Sequence, residues 1–290
     1  MKCSLCPRSC NVDRRLKKGY CGVGDEIVIA RAARHLWEEP PISGTKGSGT
    51  VFFSGCNLGC VYCQNYEISH DAKGKVISEE RLSGIFSELT VSGVHNINLV
   101  NPTHYAHKIK SVLQKEKPSV PVVYNSSGYE KVSTLKALEG LIDIYLPDLK
   151  YINDERSGKY SAAEDYFAHA STALIEMKRQ CPENIFDADG IMQKGMIVRH
   201  LILPQNTNQS IKILEWIKEK LGADTLISLM SQYTPCGRAD KYRELTRKIT
   251  KREYEKVLFA AEEMGFKNIF TQDFASASES FIPEFDFTGV

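Results

Sequence analysis

From Thr50 onward, short apolar runs rich in β-branched residues alternate with segments whose apolar positions recur at helical spacing. Residues 51–53, 97–100, 120–124, 142–146, 196–203, 226–230 and 269–271 read as strands. They are apolar throughout and too short for buried helices. Leu82, Ile85, Phe86 and Leu89 fall at i, i+3, i+4 and i+7, which predicts an amphipathic helix. Tyr254, Val257, Leu258 and Ala261 repeat the spacing behind a capping box of Thr250 and Glu253. Leu135 and Leu138 open a third helix that Gly140 can close. Residues 162–181 read as one long helix, and Asp187-Ala188-Asp189-Gly190 as a turn into the next strand. Wholly apolar strands joined by helices imply a parallel sheet covered on both faces or curled into a barrel. Six or seven such units predict an α/β fold, a partial (β/α)6-type TIM barrel.

Residues 1–48 have a different texture. They hold four of the nine cysteines, show little periodicity and end in the loop-like run from Glu39 to Gly49. They predict a small metal-bound N-terminal lobe, with residues 49–290 forming the barrel and a C-terminal tail. A length of 290 residues allows one large barrel or two ordinary domains. The net charge of +1, without a basic stripe interleaved with aromatics, gives no field toward nucleic acid or anionic lipid. The N-terminus lacks an apolar h-region, and no run approaches the ~18 apolar residues of a membrane span. Nine cysteines without such a signal imply a reducing, cytoplasmic setting, where thiols serve as metal ligands more often than as disulfides.

The candidate chemistry starts at Cys56, Cys60 and Cys63, a C-x3-C-x2-C triplet directly after the first apolar run. Iron–sulfur cubanes are held by closely spaced thiolates and normally take four. Three in one loop predict a cubane with one iron open to another ligand. Zinc sites usually pair two C-x2-C units, which does not match the triplet. A second group, Cys3, Cys6, Cys10 and Cys21, has the density of a metal site. Its spacing fits tetrahedral zinc or a second cluster equally. Cys181 and Cys236 are isolated and read as structural or surface thiols, and Arg8, Lys17 and Lys18 as solvated.

The triplet resembles the radical S-adenosylmethionine superfamily, in which the open iron is chelated by the amino and carboxylate groups of S-adenosylmethionine. Within it, residues 50–235 resemble the pyruvate formate-lyase activating enzyme and its related group through Cys56-x-Leu58-x-Cys60-x-Tyr62-Cys63-x-Asn65, Asn125-Ser126-Ser127-Gly128-Tyr129 and Asp148-Leu149-Lys150. The resemblance places Tyr62 near the adenine. It also puts Asn101, Asn125, Ser126, Asp148 and Arg199 around the rest of the cofactor, at the strand ends where barrel chemistry collects. Only Pro102 matches the family's Gly-Gly-Glu-Pro segment, and Asn125 stands where the family has an aspartate that helps hold a cation. Arg199 interrupts an apolar strand, so it needs an anionic partner: the cofactor carboxylate or a barrel acid. His104 reads as a cap or packing residue rather than a proton donor, and Gln232 and Tyr233 match a cofactor-adjacent position only loosely.

The resemblance implies reductive cleavage of S-adenosylmethionine by a [4Fe–4S] cluster and hydrogen abstraction from a substrate. A one-electron donor such as flavodoxin or ferredoxin would supply the electron. Activation of a glycyl-radical enzyme is the leading version. Modification of another protein, peptide or small molecule is the alternative, and a zinc-stapled interaction module is the non-catalytic one. A protein substrate is expected, with the aromatic and acidic residues 281–287 folding over the barrel mouth or binding a partner.

Overall fold

The computed structural model describes residues 2–271 and 283–290. Its elements begin with β1 (Ile27–His35), α1 (Pro40–Ser43), β2 (Ser48–Phe53), α2 (Tyr66–Ser69), β3 (Lys75–Ile77), α3 (Glu79–Val91), β4 (Ile97–Val100), α4 (Ala106–Lys115) and β5 (Val122–Ser126). They continue with α5 (Val132–Ala137), β6 (Ile144–Pro147), α6 (Asp154–Ser161), α7 (Tyr166–Gln180) and β7 (Ile185–Phe186). β8 (Met192–Leu201), α8 (Thr207–Leu221), β9 (Leu226–Met230), α9 (Lys251–Glu263) and β10 (Ile269–Thr271) complete the set. The parallel strands run in the order β2-β4-β5-β6-β8-β9-β10, with β1 and β3 antiparallel at one end. The sheet is mixed, parallel-rich and open between β3 and β10.

The predicted faces are buried where the spacing placed them. Leu82, Ile85, Phe86 and Leu89 of α3 are in the core, and so are Tyr254, Val257 and Ala261 of α9. The Thr250 hydroxyl accepts from the Glu253 N–H, and the Glu253 carboxylate accepts in return from the Thr250 N–H. Residues 187–190 make the expected turn, between β7 and β8.

Three expectations are corrected. Residues 162–181 are not one helix: Ala162 adopts a left-handed conformation (φ +52°) that ends α6, and α7 starts only at Tyr166. The division at 48/49 falls inside β2, and β1 pairs with β2 from Ile29↔Phe53 to His35↔Ser48. The second half of the leader is therefore an edge of the main sheet, with Ile27, Ile29, Ala30 and Ala32 buried. β5 and β6 also end later than predicted, because Asn125, Ser126 and Pro147 continue the ladder although they are not aliphatic.

The first half of the leader is pinned to the barrel by Arg14, whose guanidinium donates to the carbonyls of His104 and Gly24. Arg8 is not solvated. It donates to the Asn57 carbonyl (2.8 Å) and lies over the Tyr20 ring at 3.9 Å, whereas Lys17 and Lys18 are exposed. Of the tail, residues 281–282 lie outside the described residues. Residues 283–290 run beside β1, where Ala32 N–H donates to the Thr288 carbonyl and Phe285 meets Phe52 edge-on at 5.5 Å.

Candidate active site

The cysteine loop follows β2 and is suspended from four segments. Cys56 N–H donates to the Cys21 carbonyl (3.2 Å), Gly55 N–H to Ile68, Gly59 N–H to Ser161, and Arg238 N–H to the Val61 carbonyl (2.6 Å). Gly55 has φ +86°, and a Cβ there would stand 2.5 Å from the Cys21 carbonyl oxygen, so no other residue fits. Asn57 is buried and donates to the Tyr129 carbonyl (2.6 Å).

Cys56, Cys60 and Cys63 line one wall of a cavity of about 280 Å³. This is near the lower end of small-molecule sites, roughly 300–1,000 Å³. Each sulfur faces a hydrogen-bonding group. Asn101 Nδ2 donates to Cys56 Sγ at 3.1 Å, with Leu58 N–H at 3.4 Å. Ser69 Oγ donates to Cys63 Sγ at 3.2 Å, and Ser161 Oγ lies 2.9 Å from Cys60 Sγ. Donors aimed at sulfur suit thiolates, which only accept. Burial alone pushes all three thiols up, Cys60 to about 11, so a bound cation is what would hold them ionised. Among the described residues no three His, Cys, Asp or Glu side chains are grouped to hold a metal ion. A cubane places its thiolates on separate irons, so its ligands need not converge on one point.

The opposite wall is built from strand ends. Asn125 and Ser126 close β5, Asp148 follows β6, and Arg199 lies on β8. Arg199 Nε donates to Asp148 Oδ1 (2.9 Å) and Nη2 to Asn125 Oδ1 (2.6 Å), and Lys150 Nζ donates to Asp148 Oδ2 (2.5 Å). Of the two anionic partners open to Arg199 from the sequence, the barrel acid is the one present. Burial works against the Asp148 charge, but Arg199 and Lys150 overcome it and hold the carboxyl below its ordinary range.

Sequence reasoning missed Glu38. Its carboxylate accepts from Asn98 Nδ2 (2.8 Å) and Arg199 Nη1 (3.4 Å), and Asn125 Nδ2 is 3.4 Å away. A carboxylate thus stands beside Asn125 after all, supplied by the leader. Burial pushes both Glu38 and its neighbour Glu39 up, against the opposing pull of Arg199. The available signal was two acids between Trp37 and Pro40, just ahead of the first parallel strand, where the run read as a loop. Ser127 Oγ lines the cavity wall, buried and without a partner.

Tyr62 lines the cavity, with its hydroxyl 2.6 Å from that of Tyr151 and its ring edge-on to Tyr233. Tyr233 is buried and donates to the Leu245 carbonyl, and Gln232 lines the cavity. His104 is outside the cavity lining. Its Nε2 bonds the Ser54 carbonyl (2.8 Å), and burial lowers its pKa to about 4, so it is a neutral packing residue. Cys181 is buried, and Cys236 Sγ donates to the Tyr62 carbonyl (3.1 Å) beside the loop. In the leader, Cys6 and Cys21 are buried and Cys3 and Cys10 half-buried. A Cβ on Gly19 would lie 3.3 Å from Cys21 Sγ and 3.4 Å from Cys10 Sγ, so these two sulfurs flank one glycine.

Residues 43–162 match the family model described as a 4Fe-4S single cluster domain. The cysteines in that stretch are Cys56, Cys60 and Cys63, so the match supports a cluster at the triplet and does not reach the leader. The chain is 29% identical over 277 residues to the uncharacterized protein MJ0674 of Methanocaldococcus jannaschii, covering 92% of this chain and 76% of that one. Its fold is similar to Streptococcus suis SuiB bound to precursor peptide SuiA (TM-score 0.51, 14% identity, 75% of this chain and 46% of that one). It is also similar to SuiB bound to S-adenosylmethionine (TM-score 0.51, 14% identity, 78% and 52%). This chain spans about half the length of those solved structures, and at such identity the likeness is one of fold.

Proposed function

We propose that the protein is a radical S-adenosylmethionine enzyme whose [4Fe–4S] cluster is held by Cys56, Cys60 and Cys63 in a partial (β/α)6-type barrel. The observation that carries the reading is the set of three thiols, each facing a hydrogen-bonding group, on the wall of one cavity. The cluster-domain match and the fold of an S-adenosylmethionine-bound relative support it. When bound, the reduced cluster and S-adenosylmethionine together supply a 5′-deoxyadenosyl radical that takes a hydrogen atom from the substrate. The chain's part is placement. Asn101 directs its N–H to Cys56, Tyr62 and Tyr233 offer aromatic surface for the adenine, and Arg199 is available to the cofactor carboxylate. Asp148, Asn125, Ser126 and Glu38 line the polar side, and Ser127 Oγ offers an unused hydrogen bond. A one-electron donor such as flavodoxin or ferredoxin, in the cytoplasm, completes the cycle.

The substrate in this reading is a protein, with a glycyl-radical enzyme the leading version. SuiB is described with a precursor peptide, which fits a polypeptide entering such a cavity. The test is 5′-deoxyadenosine formation by the anaerobically reconstituted protein with candidate substrates. Stimulation by a glycyl-radical enzyme, with a protein-based EPR doublet, supports activation. Stimulation by a small metabolite alone overturns it.

The leader cysteines are proposed as a second metal site independent of the triplet. Elemental analysis of the protein with Cys56, Cys60 and Cys63 replaced by alanine is expected to retain metal. Iron would mean a second cluster and zinc a structural staple. Neither metal would refute the site.

A further inference from the structure

A buried acid that the proposed chemistry does not use is wired to the cysteine wall. Glu130, between β5 and α5, is fully buried, and its Oε1 lies 2.5 Å from Thr103 Oγ1. Thr103 Oγ1 also lies 2.9 Å from Asn101 Oδ1, and Asn101 Nδ2 donates to Cys56 Sγ at 3.1 Å. The Thr103 hydroxyl faces two oxygens and has one proton. All three contacts are satisfied only when Glu130 is a carboxylic acid donating to Thr103, which then donates to Asn101 Oδ1. That arrangement fixes the orientation of the Asn101 amide and keeps its N–H on the sulfur. If Glu130 ionises, it takes the Thr103 proton, and two lone pairs then oppose each other between Thr103 and Asn101. Resting on the cluster assignment above, we propose that Glu130 and Thr103 are positioning residues that hold the Asn101 N–H on Cys56 and so set the cluster's reduction potential. Hydrogen bonds to cluster sulfurs stabilise the more negative, reduced state.

Burial raises the Glu130 carboxyl to about 7, with the Thr103, Ser126 and Tyr124 hydroxyls opposing. The titratable groups facing it are Tyr124 on β5, Tyr145 on β6 and Cys6 of the leader; burial raises each of these, leaving Glu130 as the group that changes charge near neutrality. The reconstituted protein is titrated with reductant, without S-adenosylmethionine, and followed by EPR at pH 6 and pH 8.5 (roughly one unit or more either side of that carboxyl). Thr103→Val is expected to lower the midpoint potential by the equivalent of about a tenfold change in the reduction equilibrium, about 59 mV for one electron. The wild type should fall toward the variant's value at the higher pH. Glu130→Gln, whose amide donates at both pH values, should keep the wild-type potential of pH 6 throughout. Equal potentials in Thr103→Val and wild type, or a Glu130→Gln profile that follows the wild type with pH, overturn the proposal while leaving the cluster assignment intact. A wild type that assembles no cluster overturns both.

Discussion

Replacing Cys56, Cys60 and Cys63 together with alanine is expected to remove one cubane's iron and sulfide, about four of each, and to reduce 5′-deoxyadenosine formation to background. The three thiols are raised by burial, so nothing in the protein alone keeps them ionised. The donors on Cys56 and Cys63 then have a purpose only when the sulfurs are thiolates bound to metal. The variant should still fold. The loop hangs from backbone bonds to Cys21, Ile68, Tyr160 and Ser161 rather than from its sulfurs, and Leu58 and Asn57 stay buried. Iron and sulfide analysis after anaerobic reconstitution, with circular dichroism as the folding control, checks this. An iron content equal to the wild type in a folded variant would sink the assignment, because it would put all the iron elsewhere.

The second large effect is expected at Arg199→Met. Arg199 is the shared partner of Asp148 and Glu38, at 2.9 and 3.4 Å, and it also opposes the burial of Glu39. Removing it leaves three buried acids with Lys150 as the nearby cation, and breaking a buried pair in this way costs about 3–5 kcal/mol. In the wild type, Asp148 is held below its ordinary range, so its contribution is present above pH 3.8, the unfolded value, and is lost only as pH falls through the folded one. Without Arg199, burial dominates and the carboxyl rises above the unfolded value. The variant is then penalised at high pH and recovers as pH falls. Urea unfolding should therefore show a smaller gap between variant and wild type at pH 5 than at pH 8. A gap below about 1 kcal/mol, or one that does not change with pH, would show that Arg199 carries no such balance. Arg199→Lys is expected to fall between, since an ammonium cannot span Asp148 and Asn125 as the planar fork does.

The leader matters to both results, although its sequence reads as an appendage. Glu38 places a carboxylate at the end of β5, and the Cys21 carbonyl accepts from Cys56 N–H. Removing the leader would take away part of the cavity wall and one attachment of the cysteine loop.

The chain's own pattern determined the parallel α/β architecture, because buried strands must be apolar on both faces and helices must carry one apolar stripe. That pattern shows directly in residues 97–100 and 226–230, whose bounds match β4 and β9, and in the α9 capping box. The triplet was legible for a similar reason: cluster ligands are local in sequence, and few other chemistries need three cysteines in eight residues. β1 was not legible, because an edge strand alternating Arg31, Arg34 and His35 with small residues lacks a strong apolar signal, and its register comes from pairing with β2. The break at Ala162 was hidden because alanine is a good helix former, and the left-handed turn there is imposed by the packing of α6 against α7. The polar wall was only half visible. Asp148 and Arg199 stood out as charges in apolar runs, but Glu38 and Glu130 acquire their roles from partners 161 and 27 residues away, Arg199 and Thr103. Contacts across such separations leave no local pattern, so only the tertiary structure could assemble them.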